Sequence, residues 1–282
     1  MEIQEFKNVV KNYDIVFFDA FGVLKNSSGM IPHIEKTFEY LIKHDIDFYI
    51  LTNDASRGPK LLAKSYQDAG FSMINEEKII SSGMLAREYL RTKVKDGKVA
   101  YLGTKQSAHY LEETGLKALS IADLDLNHID DVNALVFLDD EGFDWREDLN
   151  KVINLLRIRN IPVMVANTDK SYPVSERMVA IAVGSIADMV QKITGRKFIK
   201  FGKPDSSMFI FAYEHTRGGA EVGKEKILMV GDTLYTDIIG GNKFGIDTAL
   251  VLTGNTLKEQ YMDRIKAMGI LPDYVCHSAV VY

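Results

Sequence analysis

Four polar clusters in the chain could act together on a phosphate ester. They are Asp19 in FFDAFGVL, Thr52-Asn53-Asp54, Lys203 in FGKPDSSMF, and Asp232 with Asp237 in VGDTLYTDIIGG. A carboxylate can attack phosphorus and form an acyl phosphate that water then cleaves. Carboxylates beside a dianionic phosphate require a hard cation, and oxygen ligands that retain waters suit Mg2+. Asp19 and Asp232 are the candidate ligands, with Asp237 as a third ligand or as a support for the other two. A hydroxyl, backbone N–H groups and an ammonium can cradle the transferring oxygens, which fits Thr52, Asn53 and Lys203.

Strands must deliver these groups. Asp14-Ile-Val-Phe-Phe-Asp19 is a short apolar run ending in an acid, as a strand buried on both faces reads. Ile46–Thr52 and Lys226–Asp232 repeat the pattern, and Asp247–Leu252 is a further strand. Helical periodicity follows the first run, with Ile34, Phe38, Leu41 and Ile42 on one face. Between these halves, Lys98–Leu102, Ala134–Leu138 and Ile161–Val165 read as strands, and Ser107–Thr114 and Trp145–Arg159 as helices. Leu257–Met268 closes the pattern with another helix. Alternation of this kind predicts an α/β fold with a mostly parallel sheet. In such sheets ligands bind beyond the strand carboxyl ends, where all four clusters fall. One acid at one strand end could simply cap the next helix. Four such clusters make capping the weaker explanation.

The 282 residues are 46% apolar and 26% charged, the profile of an ordinary soluble globular chain. A net charge of −5 argues against nucleic acid or an anionic membrane as the main partner. No apolar run approaches the ~20 residues that span a bilayer. The polar N-terminal stretch and the single cysteine, Cys276, point to a reducing, cytoplasmic setting. The six histidines show no metal-ligand spacing, and no G-x-G-x-x-G follows a strand. Asp139-Asp140-Glu141 reads first as a solvated loop, and its place after a predicted strand makes a substrate-facing position the alternative.

Taken together, the four clusters resemble the ordered motifs of the haloacid dehalogenase superfamily, and the details look most like class IIA, the NagD-type sugar or nucleotide phosphatases. LTNDASRG is similar to that group's T-N-N-S-S-R run, VGDTLYTDIIGG to its G-D-x-x-x-T-D-I-x-G-G run, and VANTDKSYP to N-P-D-x-x-x-P, with Thr168 where proline is usual. The resemblance implies a Rossmann-like three-layer core, Asp19 as nucleophile, Thr52 and Lys203 on the phosphate, and Mg2+ held by Asp19, Asp232, Asp237 and the Phe21 backbone carbonyl. It also implies a small phosphorylated substrate, substrate or lid contacts at Asn167 and Asp169, and a homodimer. Lys203 lies 151 residues after Thr52, more than a sheet core needs between those strands. The resemblance places an α/β cap there, at residues 80–184, with the core at 1–79 and 185–282.

One position departs from the pattern. The first motif of the resembling phosphatases is D-x-D-G, and its second acid protonates the leaving group and activates water; this chain has Asp19-Ala20-Phe21-Gly22. Loss of general acid–base catalysis typically costs ~10²–10⁴-fold, so slow turnover with retained phosphate binding is the expectation. The first motif is also similar to the D-A-Y-G-T of 2-haloacid dehalogenases, whose halide leaves without a proton and without Mg2+. A phosphonatase-like C–P cleavage and a catalytically weak phosphometabolite-binding protein are the other readings.

Overall fold

The computed structural model describes residues 1–26, 28–175, 178–216 and 222–282. Seven parallel strands form the larger sheet. Their order across it is Ile3–Gln4, Tyr274–Cys276, Asp247–Val251, Ile227–Gly231, Ile15–Phe18, Asp47–Thr52 and Ile79–Ser81. The strands Ile15–Phe18 and Ile227–Gly231 are buried at every residue, as their unbroken apolar runs require. Alternate side chains go to opposite faces. Val16, Phe18, Phe48 and Ile50 pack with Phe38 and Leu41 of the helix Glu35–Lys43 and with Leu62 and Tyr66 of the helix Pro59–Asp68. Ile15, Phe17, Tyr49 and Leu51 pack on the other side with the helices Ser82–Lys93, Ser206–His215 and Ile239–Phe244. Helices on both faces of a parallel sheet make the predicted three-layer α/β architecture.

The strand order explains why distant residues meet. From Ile15–Phe18 the chain runs first to one side of the sheet, and its C-terminal part fills the other. The crevice where the order reverses lies between Ile15–Phe18 and Ile227–Gly231, the place where such sheets bind ligands. The register sets Phe18 opposite both Val230 and Ile50. Asp19, Asp232 and Thr52 therefore emerge side by side along the carboxyl edge.

A second parallel sheet of five strands has the order Ile199–Lys200, Val163–Val165, Val132–Phe137, Lys98–Leu102 and Lys117–Ser120. One face packs on the helices Glu147–Ile158 and Val183–Thr194 through Leu135, Phe137, Val152, Leu155, Ile186 and Val190. The other joins the larger sheet in one apolar cluster that includes Val99, Tyr101 and Val136 beside Phe17 and Leu51. Ile79–Ser81 is an edge strand of the larger sheet, while the helix Val183–Thr194 and the strand Ile199–Lys200 belong with the smaller one. The exit strand is only two residues long, too short to register as periodicity.

Two antiparallel hairpins rise beside the carboxyl edge. Lys25–Asn26 pairs with Gly29–Met30, and Ser171–Ser175 with Met178–Ile181; the strands Lys25–Asn26 and Ser171–Ser175 pack together. Three predicted helices are shorter in the structure: His109–Glu112, Glu147–Ile158 and Tyr261–Met268. Ile42, expected on a buried face, is half exposed at 53%. No helix among the described residues is long and apolar enough to cross a membrane.

Candidate active site

Asp19, Asp232 and Asp237 converge, each offering a carboxylate oxygen within 4.8 Å of the others. Asp19 and Asp232 follow their strands directly. Asp237 arrives by a different route, because the chain after Asp232 makes a π-helical turn, Leu234–Ile238, before the helix Ile239–Phe244. The wide turn folds Asp237 back, and its Oδ2 accepts a hydrogen bond from Thr233 N at 3.1 Å. Asp232 Oδ1 accepts from Thr233 Oγ1 (2.7 Å) and Oδ2 from Asn255 N (2.6 Å).

Lys203 Nζ sits among these acids, 2.6 Å from Asp19 Oδ1 and 2.7 Å from Asp237 Oδ1. Asp237 Oδ1 faces the ammonium but has no aligned hydrogen-bond donor. One cation thus serves several buried carboxylates, and the excess negative charge shows in their protonation. Burial, reinforced by the charge of Asp19, pushes Asp232 up to about 7. Burial also drives Asp237 above the usual carboxylate range. For Lys203 burial acts to lower the pKa, but Asp19, Asp237 and Asp169 outweigh it and hold the ammonium above an ordinary lysine.

The donor set tests well against a hard divalent cation. It supplies only oxygens and carries more negative charge than Lys203 balances. Its shape is also built for a small occupant. A Cβ on Gly22 would stand 2.0 Å from Asp232 Oδ2, and one on Gly254 would stand 1.8 Å from it, so only glycine fits either place. Gly22 in addition has φ +82°, a left-handed backbone that glycine adopts without strain.

Thr52 and Asp19 line a cavity of about 1310 Å³ that lies over this cluster. The Thr52 hydroxyl accepts a hydrogen bond from Asp54 N (3.1 Å) and keeps its own proton to donate. The Asn53 side chain is engaged within the protein. Its Oδ1 accepts from Lys203 N (2.7 Å), and its Nδ2 donates to Lys203 O (3.0 Å), Asp169 Oδ1 (2.8 Å) and Thr168 Oγ1 (3.2 Å). Thr168 Oγ1 in turn donates to Lys203 O at 2.7 Å. The amide is committed to positioning Lys203 and tying it to residues 168 and 169. Burial pushes the Asp169 carboxyl up to about 6. Asn167 lines the cavity while its Oδ1 accepts from Asp169 N (2.9 Å).

The structure adds residues to the site. Asp139 and Asp140 line the cavity, the substrate-facing alternative to a solvated loop. Burial, then the charge of Asp140, pushes Asp139 up to about 6. Asp140 Oδ2 accepts from the Tyr172 hydroxyl at 3.1 Å, and the Tyr172 ring packs 6.3 Å from that of Phe21. Gly254-Asn255 follows the strand Asp247–Val251, so the strand-end rule that found the other clusters applies equally to it. Lys25 also lines the cavity, beside Phe21.

A parallel sheet that gathers an acid cluster at its switch point, under a second α/β unit, defines a hydrolase fold that comparison identifies. Residues 16–117 match the model of the haloacid dehalogenase-like hydrolases, and residues 200–280 that of the HAD-hydrolase-like proteins. The chain belongs to the haloacid dehalogenase-like hydrolases. It is 56% identical to a crystal structure from Cytophaga hutchinsonii described as a possible sugar phosphatase of the HAD superfamily, with a TM-score of 0.96 over 100% of this chain and 99% of that one. It is 28% identical to chronophin of Bos taurus, covering 96% of this chain and 93% of the relative. It is 26% identical to glycerol-3-phosphate phosphatase of Gallus gallus, covering 99% and 93%.

Proposed function

We propose that this protein is a Mg2+-dependent phosphohydrolase that acts on a small phosphorylated metabolite through an aspartyl phosphate at Asp19. The observation that carries the reading is the Asp19–Lys203–Asp237 contact beside Asp232, at the floor of a cavity large enough for a sugar phosphate or nucleotide. Asp19, Asp232, Asp237 and the Phe21 carbonyl would hold Mg2+, whose chemistry is to neutralise the phosphate and the carboxylates facing it. Asp19 attacks phosphorus. Lys203, the Thr52 hydroxyl and the backbone N–H of Asn53 take up charge on the transferring oxygens. Asn167 and Asp169 would join the lid to the core beside the substrate.

Phe21 lines the site but has no proton to give, which supports slow turnover rather than lost binding. A cluster of three carboxylates suits phosphoryl transfer better than dehalogenation, which needs no metal. Relatives named as phosphatases point the same way. The test is phosphate release from a panel of phosphometabolites with Mg2+, using Asp19→Asn as the blank. Chloride release from 2-chloropropionate without a Mg2+ effect, and no phosphate release, would establish the dehalogenase reading instead. Binding of phosphate esters with no turnover would leave a phosphometabolite-binding protein. A second copy of the chain is the proposed protein partner, and sedimentation at equilibrium tests it.

A further inference from the structure

Phe21 leaves the leaving group without the usual acid, and its neighbour Lys25 occupies the same part of the site. A tight turn joins the two: Gly22 N donates to Lys25 O (2.8 Å), and Lys25 N to Ala20 O (3.1 Å). Lys25 Nζ then lies 4.6 Å from the centre of the Phe21 ring and 5.0 Å from that of Tyr66. Both are cation–π distances. Among the described residues the ammonium has no hydrogen bond and no ion pair. Burial is the largest influence on the ammonium and holds its pKa below that of an ordinary lysine; Asp54 and Asp19 favour the charged form, and Arg57 opposes it. Lys25 lines the cavity together with Asp19 and Thr52.

A lysine with a purely structural role usually finds a carboxylate or carbonyl, because burying an unpaired charge is costly. Here ring faces hold the ammonium in place and leave its three N–H donors uncommitted. We propose that Lys25 is a catalytic residue whose ammonium hydrogen-bonds the bridging oxygen of the phosphate ester and stabilises the charge that develops there. This rests on the phosphohydrolase reading and supplies what replaces the missing acid. As Asp19 Oδ bonds to phosphorus, the bond from phosphorus to the alcohol oxygen breaks and its electron pair stays on that oxygen. Lys25 remains charged; a water supplies the proton that completes the alcohol. The hydroxide so formed attacks the acyl phosphate and releases inorganic phosphate and the Asp19 carboxylate.

The leaving group provides the test, since nitrophenolate is a stable anion and an alkoxide is not. Lys25→Met and Lys25→Arg are compared with the wild type on p-nitrophenyl phosphate and on glycerol phosphate, both with Mg2+. Removal of one donor aimed at developing charge typically costs ~10²–10³-fold. Lys25→Met is expected to lose about that much kcat/KM on glycerol phosphate and less than about tenfold on the nitrophenyl ester. Lys25→Arg should keep most of the activity on both. The ratio between the two esters cancels any loss of folded enzyme, and Lys25→Gln is read in the same way if Lys25→Met does not fold. Equal losses on both esters, or no loss on either, overturn the role of Lys25 alone. A wild type inert towards both esters overturns the phosphohydrolase reading, and the proposal with it.

Discussion

Lys203 Nζ stands between Asp19 and Asp237, 2.6 Å from an oxygen of the first and 2.7 Å from an oxygen of the second, with only 1% of its side chain exposed. Removing one partner from a buried ion pair typically costs ~3–5 kcal/mol, because the other charge is left uncompensated. Lys203→Met is therefore expected to lower stability by about that amount in EDTA. Mg2+ should restore part of it by replacing the lost positive charge. Urea unfolding with and without Mg2+ measures both effects. Equal losses in the two conditions would show that the acids do not share one cation-binding site.

Asn53 holds that ammonium's backbone in register. Asn53→Ala removes four hydrogen bonds, leaving Lys203 N without a partner and the Asp169 carboxyl without its Asn53 donor. A loss of roughly 3 kcal/mol follows from the usual cost of unsatisfied buried groups. The same variant should raise KM more than it lowers kcat for residual substrate, since it frees the lid contact at residues 168 and 169. A wild-type melting temperature would show that the network contributes nothing.

Gly254 admits no side chain. Gly254→Ala would place a Cβ 1.8 Å from Asp232 Oδ2 and displace that carboxylate. Disturbing the groups that orient metal ligands typically costs 10–100-fold in metal affinity. The expected result is a shift of about that size in the Mg2+ concentration that half-saturates phosphate release. An unchanged titration would remove Asp232 from the proposed ligand set.

Asp139 gives the metal-free protein a pH dependence of known sign. Its folded carboxyl titrates at about 6, above its ordinary 3.8, so it holds a proton that the unfolded chain releases. Its contribution to stability is therefore greatest at low pH and is lost as pH rises from about 4 through about 6. Asp139→Asn should flatten that slope and raise stability at neutral pH by ~1 kcal/mol after solvent screening, or roughly 2–4 °C in Tm. Thermal melts across this pH range check it; a variant with the wild-type slope would place the titration elsewhere.

Phe21→Asp probes the departure in the first motif. A carboxylate there can donate a proton to the leaving oxygen, and general acid catalysis is worth at least ~10²-fold where it operates. The expected outcome is faster turnover of alkyl phosphates in a variant with wild-type circular dichroism. No increase would mean that proton transfer does not limit this enzyme.

Much of the site was legible in order along the chain. Asp19, Thr52 and Asp232 lie at the ends of buried apolar runs, and a strand's carboxyl end can be located from its own residues. Residue type then narrows the chemistry, so the α/β class and the acid cluster follow from local pattern. Other features depend on where remote segments dock. Asn53 has a type suited to phosphate, yet only the approach of Lys203 and Thr168 commits its amide to the protein. Asp139 and Asp140 follow a strand, but whether they face water or the cavity depends on how the second sheet sits over the first. The pairing of Ile199–Lys200 with Val163–Val165 adds a strand to the smaller sheet that two residues carry no period to announce. The sequence by itself determined which groups can do chemistry, because strand ends and side-chain types are local properties. Tertiary structure alone decided that Tyr66 lies under the Lys25 ammonium and that Tyr172 packs against Phe21, because burial and contact between remote residues arise only when distant parts of the chain exclude water together.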